Sequence, residues 1–348
     1  MENTTPQHTG DIRSIWQLLA LDDSSLEKVD VVVLNLVVAK GIPALANLNI
    51  ARYVRTVDDW TRQFRRVLPD MERQFRETPE RWKNDIRFFR VGMLMGFLGH
   101  EIGIRYIEEK KHGTEFHYTN PGDLFLNGLI DTKQGTCGNM PALHAAMARR
   151  MGWPVSLACA DCHFISRFDD DQAVYNIEAT STHPGSFAEG SDEDYIKRFA
   201  LPEKAIECGS DLRKLSAREM VGVFLGLRGR HYADTGRPLE ADLSYALARV
   251  LFPTHRCGYI QAMAPMLAHG AILFNPGEVG HPDSLFQEVE PYLPPPRSSA
   301  LNQQIMSLSL PVVPAKPVVV DSVVDILRTS FGFSVPESPK QGFKQEGQ

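Results

Sequence analysis

The sequence predicts an α+β protein, helical towards both ends with a small antiparallel sheet between. Apolar residues recur at three- and four-residue spacing over residues 11–110, and again from about residue 215. Between them, over residues 155–178, the period falls to two, with β-branched and aromatic residues alternating against polar ones.

In order, the spacing predicts helices over Asp11–Leu21, Ser25–Lys40, Asp58–Arg76 and Glu80–Tyr106, with Pro69 and Pro79 as punctuation. Val31–Val38 is rich in β-branched residues, which favour strands. Ser25-Leu-Glu-Lys as a start and Gly41-Ile-Pro43 as a stop make it a buried helix instead. His112–Asp123 reads as a polar loop and Leu124–Ile130 as a short helix. Met140–Met151 is a helix with Met140, Leu143, Met147 and Met151 on one side. Arg149 and Arg150 in its last turn face the negative end of the helix dipole, and Gly152 follows. Strands are expected over Val155–Cys159, His163–Phe168 and Ala173–Glu178, with Asp169–Gln172 turning between the last two. Helices return at Ala217–Asp234 and Leu239–Leu251, and Phe252–Cys257 opens a possible second pair running to about His269. From Pro291 the prolines multiply, and only Val318–Phe331 is apolar enough for a small helix.

The expected organisation is a disordered N-terminus (1–10), a helical region packing on the core (11–110), a core (111–200), a helical appendage (201–290) and a Pro-rich, mostly disordered tail (291–348). A formal net charge of −6 argues against a nucleic-acid partner, whose phosphates call for a basic face. The longest apolar run, Val31–Val38, is too short to span a bilayer and is interrupted by Asn35. No basic-then-apolar leader opens the chain. With five cysteines, an odd number, free thiols in a reducing, cytoplasmic setting are expected, without a membrane partner.

The chemistry gathers around Gln134-Gly-Thr-Cys137-Gly-Asn-Met-Pro141. A cysteine is a strong nucleophile as thiolate, and the start of a helix favours that charge. Gly135 and Gly138 are small neighbours that would let a substrate backbone approach. The Cys137 amide and the Gln134 side chain are candidate donors to an oxyanion. His144 lies two helical turns on, about 10 Å of rise, too far for a direct hydrogen bond; it is expected at the helix surface or core edge. His163 is the candidate base. With Asp170 and Asp171 at the centre of the turn, paired positions sum to 341, and His163 stands directly opposite Glu178, on the same face. Phe164, Phe168, Tyr175 and Ile177 then form the other, apolar face. Glu178 would orient the imidazole, and Asn176, two residues away on the same face, could assist through its amide.

Gly135-Thr-Cys137, a helix ending Ala148-Arg-Arg-Met-Gly-Trp-Pro154-Val, then His163-Phe-Ile-Ser-Arg-Phe and Val174-Tyr-Asn-Ile-Glu178-Ala-Thr resemble the transglutaminase-like superfamily over about residues 120–180. That resemblance implies a papain-like thiol core, with Cys137 as nucleophile, His163 as base and Glu178 as acid. It implies acyl transfer, either hydrolysis or transamidation, on a protein or peptide substrate, without a cofactor. The chain departs from the family pattern at Glu178-Ala179, where Asp-Pro is usual, and at Gly138, where an aromatic residue often stands. The helix pair at 217–251, with a Tyr near the end of the first helix and a Gly turn, resembles a tetratricopeptide unit. One bacterial branch of the superfamily joins such helices to the thiol core. A competing reading keeps the fold but not the reaction, as a module that binds a protein partner on those helices. Cys159-Ala-Asp-Cys162-His163 also matches the pattern of covalent haem attachment, and with Cys137 a zinc site, but no second cysteine pair accompanies it.

Overall fold

The structure is a computed structural model that describes residues 12–110, 117–180 and 189–257. The expectations for residues 1–10, the helix continuing to His269, Val318–Phe331 and the Pro-rich tail lie outside the described residues. Eleven α-helices and six strands follow one another in the described chain. They begin with α1 (Ile15–Leu19), α2 (Asp23–Leu26), α3 (Val31–Ala39), α4 (Ile50–Glu77), α5 (Ile86–His100) and β1 (Arg105–Tyr106). Next come α6 (Leu126–Thr132), β2 (Gln134–Gly135), α7 (Met140–Arg150), β3 (Val155–Ala160), β4 (His163–Asp169), β5 (Val174–Ile177) and β6 (Glu189–Gly190). Four helices complete it: α8 (Asp192–Phe199), α9 (Glu203–Glu207), α10 (Ala217–Asp234) and α11 (Pro238–Leu251). The architecture is α+β, and among the described residues no helix is long and apolar enough to cross a membrane.

Capping explains where the helix boundaries depart from the spacing. The Ser25–Lys40 segment breaks because Asp30 accepts the Val32 amide and starts α3 afresh. Val31–Ala39 is helical and wholly buried, so burial overrides its strand propensity. Asn49 caps α4 well before Asp58 through the Arg52 amide, and Pro69 is carried inside the helix. Lys83 and Asn84 adopt left-handed backbone, and Asp85 then caps α5. Two residues read as helix, Arg105 and Tyr106, form β1 and pair in parallel with β2. That short pairing holds the approach to Cys137.

A second sheet has the order β3-β4-β5-β6, antiparallel throughout. One side of it faces the main core: Phe164, Phe168 and Ile177 are buried there with α3, α7 and α10. The other side carries a smaller core of Ala158, Ala160, Ile165, Tyr195, Leu201 and Leu212 beneath α8 and α9. Side-chain alternation along β4 assigns the two faces.

The helices after residue 215 are not an appendage. α10 packs along α3, and its residues Met220, Val221, Phe224 and Leu225 share one apolar cluster with Ile15 and Leu143. Arg228, fully buried, donates to the Val38 carbonyl at 3.0 Å, and Tyr232 donates to that of Gly41 at 3.1 Å. Gly229 lets α11 approach, since a Cβ there would lie 2.7 Å from the Tyr245 ring. Arg150, expected as a charge at the helix C-terminus, is also a buried junction. It pairs with Asp30 at 2.7 Å and Asp58 at 2.9 Å, and donates to the Ala146 carbonyl, joining α3, α4 and α7.

The expectation of free thiols fails at two positions, because Cys162 and Cys257 form a disulfide. Cys162 belongs to the β3–β4 turn, where Asp161 adopts φ 59°. Arg256 reinforces the link through an ion pair to Asp161 at 2.5 Å. Cys159 is fully buried within β3, so the Cys159–Cys162 pair does not present two free thiols together.

Two stability predictions follow from buried features. Asp30→Ala strips Arg150 of its closest charge and α3 of its cap, and lowers the unfolding free energy in urea by about 3–5 kcal/mol. Asp30→Asn, which can still accept the Val32 amide, costs less. Cys162→Ser opens a cross-link spanning 95 residues and lowers stability by about 4–5 kcal/mol on the chain-entropy estimate; non-reducing peptide mapping of the parent recovers the Cys162–Cys257 bond.

Candidate active site

The turn before α7 is built by Thr136 and Asn139. The Thr136 carbonyl accepts the amides of Asn139 and Met140, while its hydroxyl accepts the Gly138 amide. Asn139 accepts the Thr136 amide and donates to the carbonyls of Gly122 and Phe125. Cys137 therefore sits in a helix-like turn just before α7, and its own amide makes no hydrogen bond among the described residues. Gly135 is required for packing: a Cβ there would collide with the Asn139 side chain and with Leu129.

His163 opens β4 and is part-buried. Its Nε2 lies 2.8 Å from Glu178 Oε2, and the ring is near enough to Cys137 for the thiol to act on its charge. Cys137, His163 and Glu178 thus come together in chain order. Burial disfavours charge on the imidazole, but the hydrogen bonds to Cys137 and Glu178 outweigh it and raise its pKa to about 10. Burial likewise pushes Glu178 up, but the hydrogen bond and charge of His163, with those from Thr180, bring it below its ordinary value. The other carboxylate oxygen, Oε1, accepts the Thr180 amide at 3.1 Å and the Thr180 hydroxyl at 2.5 Å.

The register departs from the sum of 341. Asp169 pairs with Val174 and Arg167 with Asn176, a sum of 343. The cause is the turn: Asp170 accepts the amides of Gln172 and Ala173 from its side chain, and Asp171 takes φ 67°. The loop is therefore Asp170–Ala173. A shift of two preserves every facing direction. Glu178 still shares the face of His163, but reaches it diagonally from just beyond the end of β5. The longer glutamate arm suits that diagonal, where the shorter aspartate would suit a directly opposed pair.

Asn176 spends its amide elsewhere: it accepts Arg167 Nη1 at 2.6 Å and donates to Asp192 at 2.6 Å. Gln134 contributes through the backbone of β2, and its side chain makes no hydrogen bond to Cys137, His163 or Glu178. His144 is deeper than expected, fully buried, with Nε2 3.4 Å from the Val91 carbonyl and its pKa lowered by burial to about 4.

Aromatic residues that spacing did not mark surround the site. The Tyr106 and Tyr118 phenols are raised by burial and then by charge at Cys137. Phe199 lies flat against the His163 ring, centroids 5.6 Å apart and planes 19° apart. Only their place in the fold brings them here; β1 and α8 are remote from Cys137 in sequence. Among the described residues, no group of three or more His, Cys, Asp or Glu side chains is arranged to hold a metal ion.

A histidine held charged by its partners stabilises the fold fully below its ordinary value near 6.5 and loses that contribution as pH rises through about 10. The depressed Glu178 contributes above its ordinary value near 4.5 and loses it as pH falls through its folded value. Glu178→Gln should therefore move the His163 titration midpoint downward, read from the imidazole nitrogen resonances; an unchanged midpoint would mean that Glu178 does not hold the charge.

No family model, no curated protein and no solved structure matches the chain, and the site is known by its own geometry.

Proposed function

We propose that the protein is a thiol-dependent acyl-transfer enzyme with a papain-like, transglutaminase-like core, acting on an amide or ester of a protein or peptide. The observation that carries this reading is the 2.8 Å contact of His163 with Glu178, together with the influence of Cys137 on the charge of the same ring. The proton shared by the thiol and the imidazole rests on His163, and Cys137 Sγ bonds to the substrate carbonyl carbon as its π electrons move to oxygen. The Cys137 amide, which makes no hydrogen bond among the described residues, donates to that oxyanion. Collapse breaks the bond to the leaving group, which departs with the proton from His163. Water or an amine then gives its proton to His163 and attacks the thioester. The C–S bond breaks, the acyl product leaves, and His163 keeps the proton as at the start. Glu178 stays ionised throughout and fixes the ring that carries the proton.

The test is site-resolved iodoacetamide labelling of Cys137 against pH, with release of nitrophenol from an activated ester. The parent should show an acylation burst that Cys137→Ala abolishes. His163→Ala should slow labelling by about a hundredfold at neutral pH. Labelling unaffected by loss of His163, with no burst, would leave a non-catalytic binding module as the better reading.

A further inference from the structure

The polar partners of His163 hold it at the edge of its ring, and the ring face is open to a further constraint on the plane. A rotation about the Cβ–Cγ bond would swing both nitrogens off their partners. The group against that plane is Phe199, nearly parallel to the imidazole. One turn earlier on the same helix is Tyr195, 3% exposed, its ring 6.0 Å from Phe199 and 13° from parallel. Gly190 makes room for this second ring, because a Cβ there would lie 2.8 Å from Tyr195 Cε2. A protonated imidazole against an aromatic face is also favoured electrostatically.

Both aromatic residues belong to α8, and α8 is tied to the hairpin that carries the triad. Its first residue, Asp192, receives Arg167 at 2.7 Å and 3.2 Å and Asn176 at 2.6 Å. Arg167 and Asn176 are direct cross-strand partners on the face shared by His163 and Glu178. Ser191 and Asp194 complete a capping box at the same end. At the other end Ala200 turns left-handed at φ 49°, and the Leu201 amide closes onto the Ile196 carbonyl, ending the helix just after Phe199. The helix is thus fixed to β4 and β5 at its start and lies on the base at its end.

On the thiol reading proposed above, we infer that α8 is the positioning element of this site: Phe199 sets the plane of the His163 ring, Tyr195 backs it, and Asn176 and Arg167 hold the helix in place through Asp192. Asn176 thereby acts on the base indirectly, through α8. None of these residues touches the reacting atoms; all five are positioning residues.

The experiment uses the full chain and measures labelling of Cys137 against pH in Phe199→Ala, Phe199→Leu, Phe199→Tyr, Asn176→Ala and the double variant Asn176→Ala with Phe199→Ala, beside His163→Ala. Phe199→Leu keeps the apolar bulk without the flat ring, so it separates orientation from packing. Loss of the plane should slow labelling by about tenfold to a hundredfold in the Ala and Leu variants, with a pH profile displaced towards that of His163→Ala and circular dichroism unchanged. Phe199→Tyr should restore both rate and profile. Asn176→Ala should slow labelling in the same sense, and the double variant should be little worse than Phe199→Ala alone, the mark of residues acting through one another. A parent-like rate and profile in Phe199→Leu, while His163→Ala is slow, would overturn the role of α8 and leave the thiol reading standing. A parent-like rate in His163→Ala would remove the thiol reading itself.

Discussion

A strand can send only every second side chain to each side, and in the β4–β5 hairpin that alternation keeps two environments apart. Phe164, Phe168 and Ile177 face the large apolar core and commit the hairpin to it. His163, Arg167, Asn176 and Glu178 are thereby committed to the opposite side, where α8 covers them. Reversing the polar face would expose three buried apolar side chains, so the core fixes the direction of His163 and Glu178. The geometry of this polar cluster is in this sense a by-product of packing: apolar burial chooses the face, and hydrogen bonds choose the partners.

The same reasoning shows what could be read in the sequence. Both faces of the hairpin were legible, because alternation survives any even shift. The register itself was not, because it depends on Asp170 bonding to amides two and three residues on, and four acidic or polar residues in a row offer several such turns. Helix cores were legible from spacing, while their ends followed single capping residues such as Asp30, Asn49 and Asp85. Cys137 and His163 stood out because their neighbours are informative. Phe199 did not, since nothing in Asp192–Phe199 distinguishes a ring that meets histidine from one that meets leucine. The Cys162–Cys257 bond was hidden for a similar reason: two cysteines far apart in a chain with an odd total carry no pairing signal.

Burial of charge is a second theme. Arg150 with Asp30, Arg228 with the Val38 carbonyl, and His163 with Glu178 each place a charge-bearing group inside the fold with a specific partner. Such arrangements gain little over well-packed apolar groups, but they penalise misplacement heavily. Here they lie where separate stretches of chain meet: α3 with α7, α3 with α10, and β4 with the end of β5. They favour one relative placement of these elements over the others that apolar contact alone would tolerate.

The disulfide has a mechanical meaning as well. Cys257 follows α11 in sequence, yet it is bonded to the turn immediately preceding His163. Tension applied to the chain beyond residue 257 would enter the sheet at Cys162 and leave the 94 residues between the two cysteines, α10 and α11 included, shielded from the load. The covalent route makes the β3–β4 turn, and not the last helix pair, the point at which this body would be held from its C-terminal side.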